Sequence, residues 1–292
     1  MSMYIAKLMY HKWEEEPISG IKSGHAGTFA MFFYCCNMKC IYCQNSKISH
    51  IPFSEIKKKA NTYNSKFNAT IDSKDVFSTQ ISNHKIIWTA EELSDEMIIA
   101  EKNNAASISF ITSVLYTEEV AETIKLARKK GLTIPIVYNS SGYETVPMLK
   151  KLSGLIDIYL PDFKYFDNEL GQIFSKVPNY TDIAKLAIDE MYNQVKTNLI
   201  VRHLVLPGHT ENAKNIIKYL YETYGDNIYI SIMSQYTPIT NNSDIKNFPN
   251  LMRTLTKREY DKVINFAMNL GIKNAYYQDG DVANESFIPE FL

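Results

Sequence analysis

The clearest indication of the fold comes from the stretch of residues 28–43, which reads Thr28-Phe29-Ala30-Met31-Phe32-Phe33-Tyr34-Cys35-Cys36-Asn37-Met38-Lys39-Cys40-Ile41-Tyr42-Cys43. Its first part is almost entirely apolar and aromatic and follows Gly27, which predicts a buried strand over residues 28–34. The strand runs directly into a loop that holds all four cysteines of the 292-residue chain. Any chemistry of these cysteines is therefore expected at the carboxyl end of that strand.

Three of the cysteines, Cys36, Cys40 and Cys43, are spaced C-x3-C-x2-C. Three thiolates are one short of the four ligands of a structural zinc site, and no second ligand pair follows at finger-like spacing. They suffice for a cubane 4Fe-4S cluster with one open iron, because each iron takes one cysteine. The alternative is a zinc loop that a histidine such as His25 or His50 completes.

The fourth cysteine, Cys35, precedes the first of these ligands directly. Adjacent residues on an extended backbone point in opposite directions. We therefore expect the Cys35 thiol to pack rather than to bind metal.

The bulk composition is that of an ordinary globular protein, with 45% hydrophobic and 22% charged residues. A formal net charge of -1 gives no reason to expect binding to nucleic acid or to an anionic membrane. No apolar run approaches membrane-spanning length, and the acidic start around residues 14–16 does not resemble a signal peptide. Clustered cysteines in an unsecreted chain favour metal or redox chemistry over disulfides, so we expect a cytoplasmic protein.

Strand-like and helix-like patterns alternate after the cysteine loop. Capping boxes, Thr89 with Glu92 and Thr256 with Glu259, begin two of the predicted helices. The predicted helices cover residues 89–103, 117–130, 144–152, 181–196, 210–224 and 256–271. The predicted strands cover residues 107–112, 134–138, 156–160, 199–206, 227–233 and 272–277. Such a series implies a parallel sheet covered by helices, either an open doubly wound sheet or a partial barrel.

Two stretches interrupt this alternation. Residues 51–88 have weak periodicity and many Lys, Asn and Ser residues, which predicts an insertion between the first strand and the first helix. Residues 237–251 are rich in Asn, Pro and Thr and predict a loop. We expect the whole chain, residues 1–292, to form one domain.

Several blocks, taken in order, resemble the radical S-adenosylmethionine superfamily and, within it, the subfamily named pyruvate formate-lyase activating enzyme-like. The cysteine motif follows a strand, and the aromatic Tyr42 precedes its last cysteine. The other similar blocks are residues 136–144 (IVYNSSGYE), 161–164 (PDFK), 202–208 (RHLVLPG), 233–236 (MSQY) and 285–289 (ESFIP).

The resemblance implies an α/β fold, a partial (β/α)6 TIM-like barrel with parallel strands in a single domain. It implies a 4Fe-4S cluster at the top of the barrel, whose open iron is chelated by S-adenosylmethionine. An electron donor such as flavodoxin or ferredoxin would reduce the cluster under anaerobic conditions. Cleavage of the sulfonium would then yield a 5'-deoxyadenosyl radical that takes a hydrogen atom from a substrate.

The resemblance also assigns S-adenosylmethionine contacts to the ends of the first strands. Tyr42 matches a residue that lies against adenine, with simple aromatic packing as the alternative. Thr112 and Ser113 stand where the family has a Gly-Gly-Glu segment, so their hydroxyls would replace a carboxylate. Asn139 and Ser141 match residues that serve S-adenosylmethionine and a nearby cation, although an Asn-Ser-Ser-Gly turn explains them equally well.

Further contacts are implied at the later strands. Asp162 and Lys164 match a pair beside the carboxylate and the sulfonium of S-adenosylmethionine, and a surface ion pair is the alternative. Arg202 is a candidate for binding a carboxylate. Gln235 matches a residue that contacts the ribose, and the neighbouring Tyr236 is a candidate hydrogen-atom relay.

The substrate is left open between two kinds of enzyme. The subfamily name suggests a glycyl-radical protein as partner, but residues 24–28 lack the Gly-Pro-Gly-x-Arg stretch of true activases. The alternative is direct modification of a small molecule or peptide. A third interpretation, from another class, is a non-catalytic iron-sulfur electron carrier or metal-binding scaffold.

Overall fold

A computed structural model describes residues 2–66, 85–239 and 242–278 of the protein. Residues 67–84 of the predicted insertion lie outside the described residues, as does the family-like block at residues 285–289. Within the described ranges, no helix is both long and apolar enough to cross a membrane.

The described strands form two sheets, with the orders β3-β1-β2-β4-β5-β6 and β7-β8-β9. Isolated parallel bridges, Tyr159 to Leu199 and Asp162 to Arg202, connect β6 to β7, so the second sheet continues the first. The strands are β1 (Ser2–His11), β2 (Thr28–Phe33), β3 (Ile87–Thr89), β4 (Ser107–Ile111), β5 (Ile136–Ser140), β6 (Ile158–Pro161), β7 (Ile200–Leu204), β8 (Tyr229–Met233) and β9 (Ala275–Tyr277).

Helices alternate with the parallel strands and cover the outside of the sheet. The predicted capping boxes at the starts of α4 and α10 are both confirmed. The helices are α1 (Glu16–Ser19), α2 (Ser46–Ser49), α3 (Phe53–Lys66), α4 (Ala90–Lys102), α5 (Thr117–Lys129), α6 (Val146–Lys150), α7 (Asn168–Ser175), α8 (Tyr180–Val195), α9 (Thr210–Tyr224) and α10 (Lys257–Leu270). The expected α/β fold with a parallel sheet, of the partial TIM-like barrel type, is confirmed.

The central strands are apolar on both faces because both faces are covered. Every residue of β2 and of β4 is buried, as expected for parallel strands between a barrel interior and a helix layer. β2 pairs in parallel with β4, β4 with β5, and β5 with β6, so their carboxyl ends meet at one edge.

The structure differs from, or adds to, the sequence-based expectations in three places. The polar start of the chain gave no strand prediction, yet residues 2–11 form β1, which pairs antiparallel with β2 and β3. The cysteine loop therefore follows the second strand rather than the first. α7 was not predicted at all. The expected loop at residues 237–251 contains two short 3-10 turns, Asp244–Asn247 and Pro249–Met252.

The segment after β1 closes the base of the sheet. Ile18 of α1 is fully buried in a cluster with Val137 and Ile200, and the Ser107 hydroxyl donates a 2.7 Å hydrogen bond to the Ile18 carbonyl. The chain entering α1 thus packs against the inner face of the strands rather than around the outside.

A buried ion cluster ties the same segment to β7. Arg202 Nη2 pairs with the carboxylates of Glu14 and Glu15, and Arg202 Nε donates to Glu15 Oε1 at 2.9 Å. The exposed fractions of the three side chains are 13%, 5% and 8%. Burial opposes ionisation of Glu15, but the adjacent guanidinium prevails and lowers its pKa.

We expect Arg202→Met to destabilise the fold by about 3–5 kcal/mol, because it leaves two buried carboxylates without a counter-charge. Urea unfolding followed by circular dichroism measures this loss. The matched control is Lys257→Met, which removes the exposed ion pair with Asp261 on α10 and should cost less than about 1 kcal/mol. Equal unfolding free energies for the two variants would contradict the stabilising role of the ion cluster of Glu14, Glu15 and Arg202.

Candidate active site

The carboxyl ends of the strands surround a pocket of about 500 Å3. The cysteine loop forms one wall, and the ends of β4, β5, β6 and β8 form others. The predicted site residues that line this pocket are Cys36, Cys40, Cys43, Thr112, Asn139, Ser141, Asp162, Lys164, Arg202 and Gln235. Tyr42, Ser113 and Tyr236 do not line it.

The loop separates Cys35 from the other three cysteines. Cys35 has a φ of 70°, and its Sγ donates a 3.2 Å hydrogen bond to the carbonyl oxygen of Ile51. It does not line the pocket, in keeping with the expected packing role. Neither His25 nor His50, the candidate fourth ligands of a zinc loop, lines the pocket.

The three pocket cysteines are suited to a cubane cluster. Burial raises the pKa of Cys36 to about 12 and that of Cys40 to about 11, so both are neutral thiols until a metal displaces their protons. Among the residues that the structure describes, no three Cys, His, Asp or Glu side chains converge on a point for a single ion. A cubane needs no such convergence, because each cysteine binds a different iron.

The last turn of α7 supports the cysteine loop. The Lys39 amide donates to the Ser175 carbonyl at 2.9 Å, and the Ile41 amide donates to the Phe174 carbonyl at 2.8 Å. Carbonyls at a helix C-terminus have no partner within the helix, so the loop satisfies them while the helix fixes the loop. The Tyr42 side chain is buried and does not line the pocket; its ring contacts that of Tyr236, and its hydroxyl lies 2.5 Å from that of Tyr165.

Asp162 and Lys164 form an ion pair just past β6, with side chains 25% and 18% exposed. Although burial opposes the charge on Lys164, the adjacent Asp162 carboxylate keeps its pKa well above the usual value. A positive charge therefore lies beside the three pocket cysteines at every physiological pH.

Tyr180 fixes the turn that presents this pair. Its hydroxyl donates to the Ser141 carbonyl at 2.8 Å and accepts from the Lys164 amide at 2.9 Å. Gly142 has a φ of 74°, and a Cβ there would collide with the Asp162 carbonyl. Only glycine allows the ends of β5 and β6 to approach this closely.

Thr112 follows β4 with a φ of 60°. This conformation is costly for a β-branched residue, by about 1–3 kcal/mol, and it lies where the family has glycines. Thr112 faces the pocket, whereas Ser113 is buried behind it. Of the two hydroxyls expected to replace the family's glutamate, only that of Thr112 lines the pocket.

On the β7 and β8 side of the pocket, the polar side chains already bond to other residues of the protein. The Arg202 guanidinium is already paired with Glu14 and Glu15, so it is not available as an unpaired cation. Gln235 Oε1 accepts a 2.8 Å hydrogen bond from Gln278 Nε2. The Tyr236 hydroxyl donates to the Leu251 carbonyl at 2.7 Å and is buried away from the pocket.

The sequence did not predict the floor of the pocket, which is formed by Glu14, Glu15, Arg202 and Ser231. Glu14 and Glu15 line the pocket next to Ser231 of β8, yet the acidic run at residues 14–16 gave no sign of this. The partner arginine lies 187 residues further along the chain than Glu15. A pair so distant in sequence leaves no local signal.

The sequence model of the Radical SAM superfamily matches residues 31–220. An uncharacterised protein of Methanocaldococcus jannaschii is 30% identical over 250 residues, which are 84% of this chain and 63% of that protein. The chain therefore spans less than two thirds of the length of this relative.

Two solved structures are similar. A radical SAM methyltransferase from Sphaerobacter thermophilus has a TM-score of 0.54 at 12% identity, covering 87% of this chain and 67% of that one. A domain of pyruvate-formate lyase-activating enzyme from Bacteroides vulgatus has a TM-score of 0.43 at 15% identity, covering 59% and 98%. The first of these supports the fold. With a family match over most of its length and three cysteines in one strand-end pocket, the chain belongs to the radical SAM superfamily, whose members use a 4Fe-4S cluster and S-adenosylmethionine.

Proposed function

We propose that this protein is a radical SAM enzyme that takes a hydrogen atom from a substrate bound in the strand-end pocket. When bound, the cluster supplies the electron that cleaves the sulfonium of S-adenosylmethionine, which gives the 5'-deoxyadenosyl radical. The observation that carries the proposal is that Cys36, Cys40 and Cys43 line the same pocket as the Asp162–Lys164 pair.

The chain's own residues would hold the cofactors in place. Cys36, Cys40 and Cys43 release their protons on binding iron and stay as thiolate ligands. We propose that the Lys164 ammonium, which pairs with Asp162, also pairs with the carboxylate of S-adenosylmethionine, and that the Asp162 carboxylate faces its sulfonium. Both contacts join opposite charges in a largely buried pocket, where they orient the cosubstrate better than neutral groups would.

The amino group of S-adenosylmethionine has a weaker partner here than in the family. Thr112 offers a neutral hydroxyl in place of a carboxylate, and Ser113 is not positioned to help. Asn139 and Ser141 lie at the end of β5 in the same wall. We propose that these three side chains together replace the charged contacts that the family makes there.

We propose modification of a small molecule or peptide rather than activation of a glycyl-radical partner, because residues 24–28 lack the Gly-Pro-Gly-x-Arg stretch of true activases. The pocket continues from the cysteines to a floor of Glu14, Glu15, Arg202 and Ser231, so a substrate beside the cofactors would meet polar and charged groups. Activation of a glycyl-radical enzyme is the second candidate, suggested by the subfamily resemblance.

A reductant is part of the proposal. We propose a flavodoxin or ferredoxin as the electron donor in an anaerobic cytoplasm. A genome without a glycyl-radical protein near this gene would support the small-molecule candidate.

We expect Cys40→Ala to abolish both the cluster and the cleavage of S-adenosylmethionine, because it removes a ligand. Cys35→Ala is the matched control and should keep both, since the Cys35 thiol contacts Ile51 outside the pocket. The protein is reconstituted anaerobically, and iron analysis measures the cluster. Chromatography of 5'-deoxyadenosine after dithionite reduction measures the cleavage. An intact wild-type cluster that yields no 5'-deoxyadenosine, with substrate extracts present or absent, would instead support the non-catalytic interpretation.

Lys164→Met should weaken binding of S-adenosylmethionine roughly 10- to 100-fold, because a charge-assisted hydrogen bond is lost. Equilibrium dialysis on the reconstituted protein measures the dissociation constant. Lys130→Met is the control, since Lys130 pairs with Glu91 and Asp95 outside the pocket. An unchanged dissociation constant in Lys164→Met with an intact cluster would remove Lys164 from the binding site.

A further inference from the structure

A chain of buried hydroxyl groups ends on the sulfur of Cys40. The Ser175 hydroxyl donates to Cys40 Sγ at 3.0 Å. The Tyr165 hydroxyl lies 2.6 Å from Ser175 Oγ, and the Tyr42 hydroxyl lies 2.5 Å from that of Tyr165. Tyr165 and Ser175 are fully buried, and Tyr42 is 6% exposed.

The number of protons fixes the direction of these hydrogen bonds. A metal-bound Cys40 is a thiolate and can only accept, so Ser175 must donate its single hydroxyl proton to it. Ser175 Oγ then accepts from Tyr165, and the Tyr165 oxygen accepts from Tyr42. Each bond polarises the next in such a series, so the last donor is stronger than an isolated serine.

The other two cysteines lack this arrangement. Cys36 Sγ accepts from the Met38 amide at 3.4 Å, and Cys43 Sγ lies 3.3 Å from the Ser49 hydroxyl. Both contacts are longer than the 3.0 Å bond at Cys40. The described residues therefore make the Cys40 sulfur the most strongly hydrogen-bonded of the three.

The rigid setting of the series gives it a defined geometry. Ser175 is the last residue of α7, and its own carbonyl accepts from Lys39 in the cysteine loop. Tyr165 packs edge-on against Tyr180, with ring centroids 5.2 Å apart. The donor to Cys40 and the loop that carries Cys40 thus cannot move independently.

We propose that the Tyr42–Tyr165–Ser175 series raises the reduction potential of the cluster by stabilising negative charge on Cys40. Reduction adds one electron from an external donor and increases the negative charge shared by the thiolate ligands. Hydrogen bonds to cluster sulfurs favour that reduced state and are among the factors that set the potential. The inference rests on the proposed function, because it requires the cluster at these cysteines.

The test is an EPR-monitored redox titration of the reconstituted protein. Ser175→Ala should lower the equilibrium constant for one-electron reduction roughly tenfold, a shift of about 59 mV to more negative potential. Tyr165→Phe should shift the potential in the same direction by less, and Tyr42→Phe by least. Iron content and visible absorption establish equal cluster loading.

Tyr159→Phe is the matched control, because it removes a fully buried hydroxyl that donates to Gln194 Oε1 at 2.7 Å, away from the cysteines. It should leave the potential unchanged. An unchanged or raised potential in Ser175→Ala, or an equal shift in Tyr159→Phe, would overturn the proposal. If Ser175→Ala assembles no cluster, the reduction potential of Tyr165→Phe tests the proposal, since this variant leaves the serine in place. An unchanged potential in Tyr165→Phe would then overturn it. A wild-type protein that takes up no cluster would instead refute the proposed function itself.

Discussion

The common direction of the strands is the constraint on which the site depends. β2, β4, β5 and β6 are paired in parallel, so the residues that follow each of them are brought to one edge. The cysteine loop, Thr112, Asn139 and the Asp162–Lys164 pair are far apart in sequence and meet there because of the parallel strands. Side-chain contacts such as those of Tyr180 then fix the turns at that edge. The helices contribute by burying the outer face, which keeps the strands in register.

Local patterns in the sequence predicted the parts of the structure that local forces determine. The apolar run of β2, the two capping boxes and the cysteine spacing are of this kind, and so is the parallel fold that follows from alternating units. The pocket floor was not predictable, because the Glu15–Arg202 pair joins residues 187 positions apart. The support of the cysteine loop by α7 was missed for the same reason, since Ser175 and Cys40 are separated by 135 positions.

One departure from the family pattern, at Thr112, can be described in physical terms. Thr112 adopts the left-handed backbone conformation that glycine takes without strain, at the place where the sequence resemblance implies a Gly-Gly-Glu segment. No carboxylate stands at this turn, so under the proposed function the amino group of S-adenosylmethionine would depend on neutral side chains there.

The buried pairing of Glu14 and Glu15 with Arg202 has a consequence for how the chain assembles. Glu14 and Glu15 are synthesised before Arg202, so the two carboxylates have no arginine partner until β7 has been made. Contacts between distant residues carry a large loop-closure entropy and slow folding. The base of the barrel therefore depends on both halves of the chain: a fragment that ends before β7 would hold Glu14 and Glu15 without their counter-charge.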